Sequence, residues 1–208
     1  MSEISATAVK ELREISGAGV MDCKNALSQA SGNLDQAMDL LRKSGIAKAQ
    51  KKSGRSTKEG MIYSYIHPGA KLGVLIEINC ETDFVAKTDN FINLNKDLAM
   101  HIAASAPLSV KREDIPLDVM EREKDIYTEQ ARQSGKPDKI IDNMIDGRIN
   151  KFYQENVLLE QAFVKDPDKT VQDIITETIA KLGENIVVSR FVRFQLGDHT
   201  NNSTSIDN

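Results

Sequence analysis

The chain has few of the residues that bind metals, which narrows its chemistry. Cys23 and Cys80 are its two cysteines, and neither has another cysteine or a histidine nearby at ligand spacing. A zinc site and a disulfide framework are therefore not expected. The three histidines, His67, His101 and His199, are equally dispersed. We expect no metal centre, no bound cofactor and no histidine-based catalytic site.

Long apolar runs and a strong excess of one charge are also missing. No segment approaches the roughly 18 apolar residues that a membrane-spanning helix needs. The N-terminal MSEISATAVKELRE mixes acids with bases and has no apolar run, which is not typical of a signal or transit peptide. The formal net charge is only -4, which indicates that the protein has no broad positive electrostatic field to attract polyanions. These absences predict a cytoplasmic protein that contacts no membrane.

The sequence lacks the short motifs of common enzyme sites. It contains no GxxxxGK[ST] loop, no GxGxxG after a strand, no HExxH and no GxSxG. GAG at residues 17–19 lacks a phosphate-binding lysine, so we interpret it as a turn between helices. Glu81 and Asp83 are neighbouring carboxylates, but no base, nucleophile or metal ligand accompanies them. A binding protein without catalytic chemistry is therefore favoured over an enzyme.

Residues 7–44 have the apolar periodicity of three short helices separated by glycines. The apolar stripes are Leu12 and Ile15, then Val20, Cys23 and Leu27, then Leu34, Met38 and Leu41. They predict a three-helix domain over residues 1–47. The next segment, KAQKKSGRSTK at residues 48–58, has five basic residues and no acid. It predicts a helix end that runs into a basic linker.

Residues 59–198 predict an α+β core domain. MIYSYIHPGAKLGVLIEINC is typical of a hairpin, and Leu72, Val74, Ile76 and Ile78 alternate along its second strand. A helix with Phe91, Leu94, Leu98 and Ile102 on one face follows and stops at Pro107. More helical patterning, interrupted at SGKP (134–137), precedes a helix that ends at Gly183 and a β-rich segment, NIVVSRFVRFQLG. We expect a small antiparallel sheet covered by helices, then a disordered tail over residues 199–208.

NCETDFVAK, at residues 79–87, joins the second strand of the hairpin to the next helix. Its Phe84 lies among polar neighbours on a connection that rigid elements hold at both ends, and such connections often carry function. A phenylalanine beside a sheet is also commonly a core residue. Spacing alone leaves Phe84 as either a core anchor or an exposed probe.

Five segments of the chain, in order, resemble the short form of the elongation factor Ts family. They are SGAGVMDCKNAL, NCETDFVAKTDNF, SGKPDKIIDNMIDGRINKF, LLEQAFVKD and GENIVVSRFVRFQLGD. The resemblance runs from about Thr7 to Asp198. It implies a ubiquitin-associated-like helical domain followed by an α+β core, and a guanine nucleotide exchange factor that acts on elongation factor Tu in its GDP-bound and nucleotide-free forms.

The resemblance also implies which residues of the helical domain bind the partner. Arg13, Val20, Met21 and Lys24 would contact the nucleotide-binding domain of elongation factor Tu. The family commonly has methionine where this chain has Val20.

A second set of implied contacts lies in the TDFV segment (Thr82, Asp83, Phe84 and Val85). It would enter the partner near its magnesium ion, with Phe84 wedged between helices and Asp83 disturbing the groups that hold magnesium-bound water. Loss of the ion strips the diphosphate of its main counter-charge, so GDP leaves. Lys87 is expected to contact the partner as well.

A different interpretation is an RNA-associated or scaffolding module that uses the helical domain and the basic linker. The linker contains no aromatic residue that could stack on bases, and the exchange-factor interpretation expects no direct contact with nucleic acid. A salt titration of RNA binding distinguishes the two, since phosphate binding weakens steeply with salt.

The short form also leads us to expect a homodimer. Without a second core subdomain, helix 138–153 and strand 186–196 should expose a broad apolar face. An isologous pairing of two chains would cover such a face.

Overall fold

The computed structural model describes residues 4–133 and 137–198. Residues 134–136 of the predicted break at 134–137, and the predicted tail at 199–208, lie outside the described residues. The elements are α1 (Ala6–Ser16), α2 (Val20–Gln29), α3 (Leu34–Gln50), β1 (Glu59–Ile66), β2 (Leu72–Cys80), α4 (Asp83–Ala86), α5 (Asp89–Ser105), α6 (Leu117–Arg132), α7 (Asp138–Asn156), β3 (Ala162–Phe163), β4 (Asp166–Thr170), α8 (Val171–Leu182) and β5 (Ile186–Gln195). Short 3-10 turns lie at Arg112–Asp114 and Leu158–Glu160. The α+β class is as the sequence predicts.

Helices α1–α3 form a helical module around a small core of their own. Leu12, Cys23 and Leu27 are fully buried there. The apolar pattern of the third helix ended at residue 44, and α3 continues to Gln50, inside the segment where a helix end was predicted. Its last turns pack on α8, where Gly45 approaches Ala180 so closely that a Cβ atom would lie 3.2 Å from the alanine side chain. This tertiary contact extends the helix beyond its own apolar pattern.

The sheet has the strand order β1-β2-β5, with both pairs antiparallel. Val74, Ile76 and Ile78 of β2 are buried on its inner face and Leu72 is half-buried, which confirms the predicted alternation. The inner face packs against α5 and α8. The predicted apolar stripe of α5 is buried throughout: Phe91, Leu94, Leu98 and Ile102. The sheet and these two helices form the main core.

The opposite side of the sheet carries exposed apolar side chains. We call this surface the outer sheet face; it consists of Ile62, Ile66, Leu75, Val192 and Phe194. Leu75 pairs with Val192, and Gly73 of the same strand pairs with Phe194. The apolar residues therefore extend across neighbouring strands.

A bulge interrupts the pairing of β2 with β5. Glu77 pairs with Arg190, but the next residue, Ile78, pairs with Val188. Ser189 is therefore an extra residue on β5 with no partner in the ladder.

Helices α6 and α7 pack against each other as an antiparallel hairpin. Ile145 and Phe152 of α7 are buried, whereas Ile140 remains partly exposed. Ile141, Met144 and Ile149 of the same helix are half-buried, so α7 is covered only in part. Of the two elements expected to expose a broad apolar face, the strand exposes Val192 and Phe194, and the helix exposes Ile140.

A two-stranded ribbon, β3–β4, joins this hairpin to α8 and was not predicted. Its position depends on buried His101, whose Nδ1 accepts from the Val164 backbone N–H (3.3 Å) and whose Nε2 donates to Gln161 Oε1 (2.8 Å). These partners assign the proton to Nε2. Burial lowers the pKa of His101, so the ring stays neutral at pH 7.

Candidate functional site

The TDFV segment forms a single helical turn, α4, rather than the loop that the sequence predicted. The Thr82 hydroxyl accepts from the Val85 N–H (3.4 Å) and caps the start of the turn. At the other end, the Thr88 hydroxyl donates to the Val85 carbonyl (2.8 Å) and also caps α5. Two threonines therefore fix the turn between β2 and α5.

Phe84 projects into solvent from this turn and is 80% exposed. The next two residues point the other way: Ala86 is buried and Val85 packs against the main core. These two residues anchor the turn, whereas the Phe84 ring does not pack in the core. The core-anchor alternative for Phe84 is therefore wrong.

Asp83, beside the ring, carries a negative charge at neutral pH. Its carboxylate accepts a hydrogen bond from the Lys87 ammonium group at 2.7 Å, one helical turn away. This bond holds the pKa of Asp83 below its usual range. Both side chains are exposed, so the pair adds little to stability. Its main effect is to orient the carboxylate next to Phe84.

A buried thiol supports the turn from below. Cys80 Sγ donates to the Thr82 carbonyl at 3.1 Å. Burial, with a smaller contribution from the nearby Glu184 carboxylate, raises the pKa of the thiol to about 11. Cys80 therefore remains protonated at neutral pH and keeps donating this bond.

Glu184 is a residue of this site that sequence reasoning did not single out. Its carboxylate accepts from the backbone N–H groups of Glu81 (3.1 Å) and Thr82 (3.0 Å) and from the Thr82 hydroxyl (2.6 Å). The contact spans about a hundred residues of sequence, so no local pattern could have revealed it. Its only signal was its place in the GEN segment that resembles the elongation factor Ts family.

The residues expected on the helical module are exposed. Arg13 lies in the last turn of α1, and Val20, Met21 and Lys24 lie in the first half of α2. Ile15, which was predicted to join the buried stripe of α1, is 64% exposed. It belongs with Val20 and Met21 as an apolar residue that the α1–α2 corner presents to solvent. The exposure of Ile15 was not predicted, because its helical spacing from Leu12 placed it in the buried stripe.

The basic segment 48–58 is not a free linker. Lys48 forms an ion pair with Asp22 at 2.8 Å, Arg55 forms one with Glu81 at 3.5 Å, and the Lys52 ammonium donates to the Gly183 carbonyl. Three of its five basic residues thus have partners within the chain. This engagement disfavours the interpretation of the segment as a phosphate-binding surface for RNA.

Nearly the whole chain matches one known protein family. The sequence profile of the family described as Elongation factor TS matches residues 3–198. The chain belongs to the elongation factor Ts family. Membership makes it a translation elongation factor, which acts in protein synthesis. In residues 4–133 and 137–198, no helix is both long and apolar enough to cross a membrane.

Several curated members of the family are similar over nearly their whole length. Elongation factor Ts of Fervidobacterium nodosum is 58% identical over 94% of this chain and 100% of that protein. The Geobacter sulfurreducens protein is 58% identical over 94% of the chain and 90% of its own length. Elongation factor Ts from a Thermoanaerobacter species is 54% identical over 97% of this chain and 99% of that protein.

Proposed function

We propose that this chain is a guanine nucleotide exchange factor for elongation factor Tu. It binds the GDP-bound form in the cytoplasm and promotes the release of GDP, so that GTP can take its place. Its own residues make and break no covalent bond. The observation that carries this proposal is the exposed Phe84 ring on a turn that is fixed at both ends.

Two surfaces share the work of binding. The helical module contacts the nucleotide-binding domain of the partner through Arg13, Val20, Met21 and Lys24. The core presents the TDFV segment and Lys87 to the magnesium and phosphate site. In this arrangement the module provides affinity and the turn acts on the nucleotide.

Phe84 inserts between neighbouring helices of the partner, and Asp83 enters beside it as a carboxylate. A negative charge near the groups that hold magnesium-bound water weakens the hold on the ion. Without magnesium the diphosphate loses its main counter-charge, and a displaced phosphate loop loses its aligned N–H donors. GDP then dissociates.

The energetics explain why both surfaces are needed. Weaker nucleotide binding in the complex requires, by linkage, that nucleotide weakens the binding of this chain by the same factor. Each tenfold change corresponds to about 1.4 kcal/mol. Burying one phenylalanine ring contributes roughly 1.5 to 3 kcal/mol, enough for one or two factors of ten. The helical module and the rest of the core surface must supply the remainder.

The test is the release of labelled GDP from elongation factor Tu over a range of concentrations of this chain. The wild type should accelerate release. Phe84→Ala should slow the maximal rate roughly ten- to a hundredfold, as expected if the buried ring drives the coupling. Leu117→Ala is a matched control, because Leu117 on α6 is also 80% exposed. It should behave like the wild type. A wild-type chain that left the release rate unchanged would contradict the proposal.

We also propose that two copies of the chain pair through the outer sheet face. Phe194 is 67% exposed there and lies among apolar neighbours on adjacent strands. Pairing two such faces removes apolar area from water without involving the TDFV segment. Light scattering at micromolar concentration should give twice the 23.0 kDa mass of one chain. A mass of one chain would contradict the pairing.

A further inference from the structure

The turn between α8 and β5 connects two regions that are distant in sequence. Its Glu184 carboxylate accepts three hydrogen bonds, from the Glu81 N–H and from the Thr82 N–H and hydroxyl, at the residues that lead into α4. A helix of one turn has no stability of its own. The carboxylate satisfies donors at its N-terminal end and fixes the direction in which the turn leaves the sheet.

Asn185, the next residue, holds the segment that leads out of the helical module. Its side chain is 2% exposed, and its Nδ2 donates to the carbonyls of Arg55 (2.9 Å) and Ser53 (3.3 Å). The Lys52 ammonium donates to the carbonyl of Gly183, one residue before Glu184. The segment after α3 is therefore attached to the turn by bonds in both directions.

The two attachments are also joined to each other. The Asn185 backbone N–H donates to Glu81 Oε1 at 2.7 Å, and Glu81 Oε2 pairs with Arg55 at 3.5 Å. Glu184 thus binds the backbone at Glu81, while the Glu81 side chain binds the backbone at Asn185. A closed network of this kind resists bending because no member can move without breaking bonds at another.

We propose that Glu184 and Asn185 are positioning residues for nucleotide exchange. This inference rests on the proposed exchange function. Glu184 holds the TDFV segment and Asn185 holds the exit of the helical module, so the two partner-binding surfaces keep a fixed relative orientation. Binding of the module then drives Phe84 into the partner, and the energy is not lost in bending of the segment between them.

The geometry predicts a specific kinetic signature for Glu184→Ala. The maximal rate of GDP release should fall at least about tenfold, which is the effect of losing one hydrogen bond to a charged group. The concentration that gives half of the maximal rate should change much less, because the helical module still binds. Asn185→Ala should show the same pattern. The matched control is Glu177→Ala on α8, whose carboxylate pairs with Lys169 and does not contact the TDFV segment; it should match the wild type.

Combining Glu184→Ala with Phe84→Ala tests whether the glutamate acts through the ring. If it does, the double variant should lose clearly less than the product of the two single losses, since the interaction energies of coupled residues do not add. If the two losses multiply, Glu184 acts elsewhere and the inference is overturned. Should Glu184→Ala not fold, Glu184→Gln serves instead, because it keeps the side-chain volume and loses only the charge and one acceptor.

The outcome also separates this inference from the function on which it rests. If the wild type fails to accelerate GDP release, the exchange function itself is wrong. If the wild type and the Phe84→Ala variant behave as proposed but Glu184→Ala and Asn185→Ala keep the wild-type maximal rate, only the positioning role is overturned.

Discussion

Two phenylalanines, Phe84 and Phe194, are both exposed, but their surroundings differ. Phe84 projects from a helical turn, next to a charged aspartate and above anchoring residues that face the core. Phe194 lies on a sheet whose outer face also carries Val192 of the same strand and Leu75 and Ile66 of the other two strands. An isolated ring on a rigid support suits insertion between elements of a partner. A flat apolar surface suits a second flat surface, so exposure alone does not define a function.

The largest effect on stability should come from substituting a third phenylalanine, which is buried. Phe91 of α5 is fully buried, and Phe91→Ala should lower the free energy of unfolding by about 3 to 5 kcal/mol. Phe84→Ala should change it by less than about 0.5 kcal/mol, as is usual for exposed sites. Chemical denaturation of both variants measures the difference. A destabilisation of Phe84→Ala comparable to that of Phe91→Ala would mean that the ring packs in solution.

The same substitution at the two exposed rings should separate assembly from exchange. Phe194→Glu places an unpaired charge in the proposed interface, where its burial is costly, so light scattering should show a single chain of 23.0 kDa. Phe84→Glu should keep twice that mass. If both variants dissociated, or neither did, the outer sheet face would not be the pairing surface.

A smaller effect should come from the charge beside the ring. Asp83→Asn removes the carboxylate, and GDP release at saturating concentration should slow roughly fivefold, near the lower end of typical coupling energies. Chelating magnesium should reduce the difference from wild type, because no ion is then left to displace. Lys87→Ala provides the comparison: it leaves the carboxylate in place and removes only its partner. Equal rates for wild type and Asp83→Asn at all magnesium concentrations would assign the work to Phe84 alone.

The smallest effect concerns acid stability and a residue distant from both rings. The pKa of His101 is lowered by burial, so the unfolded chain takes up a proton near pH 6.5 while the folded chain does not. The stability that this neutral ring provides is present above about pH 6.5 and is lost as the pH falls, at up to about 1.4 kcal/mol per pH unit.

Unfolding curves between pH 7.5 and 5 measure this slope. His101→Gln should lower stability at neutral pH but flatten the dependence. His67→Gln should retain the wild-type slope, because the His67 ring is exposed and hydrogen-bonds to the Tyr65 hydroxyl outside the core. An unchanged slope in His101→Gln would show that other groups control acid stability.

Periodicity was sufficient to predict the elements that bury one continuous face. The stripe of Phe91, Leu94, Leu98 and Ile102 and the alternation along β2 both appear in the structure as predicted. Periodicity failed where a tertiary contact decides the outcome. Helix α3 is longer than its own pattern because α8 packs on it, and β3–β4 is too short to produce a pattern.

The candidate site also has features that the sequence could predict and features that it could not. The TDFV segment could be located because it joins two elements that the sequence predicts. Its helical turn could not be predicted, because the threonines that cap it, Thr82 and Thr88, are also common in irregular loops. Spacing left the role of Phe84 open because the ring is one residue from Val85, which does pack on the core. The contribution of Glu184 and Asn185 arises only when α8 and β5 meet the end of β2, so it required the fold.

The bulge at Ser189 determines which side chains the sheet presents to the outside. Before it, the inward residues of β5 are even-numbered, Ile186 and Val188; after it, Phe191 and Arg193 face the core side, and Val192 and Phe194 face outward. The extra residue therefore reverses the parity of the strand. If Ser189 instead paired with Glu77 in a ladder without the bulge, Val192 and Phe194 would face the core and the Arg193 side chain would face solvent. The bulge therefore absorbs the extra residue and keeps Phe191 and Arg193 on the core side, with Val192 and Phe194 on the outer sheet face.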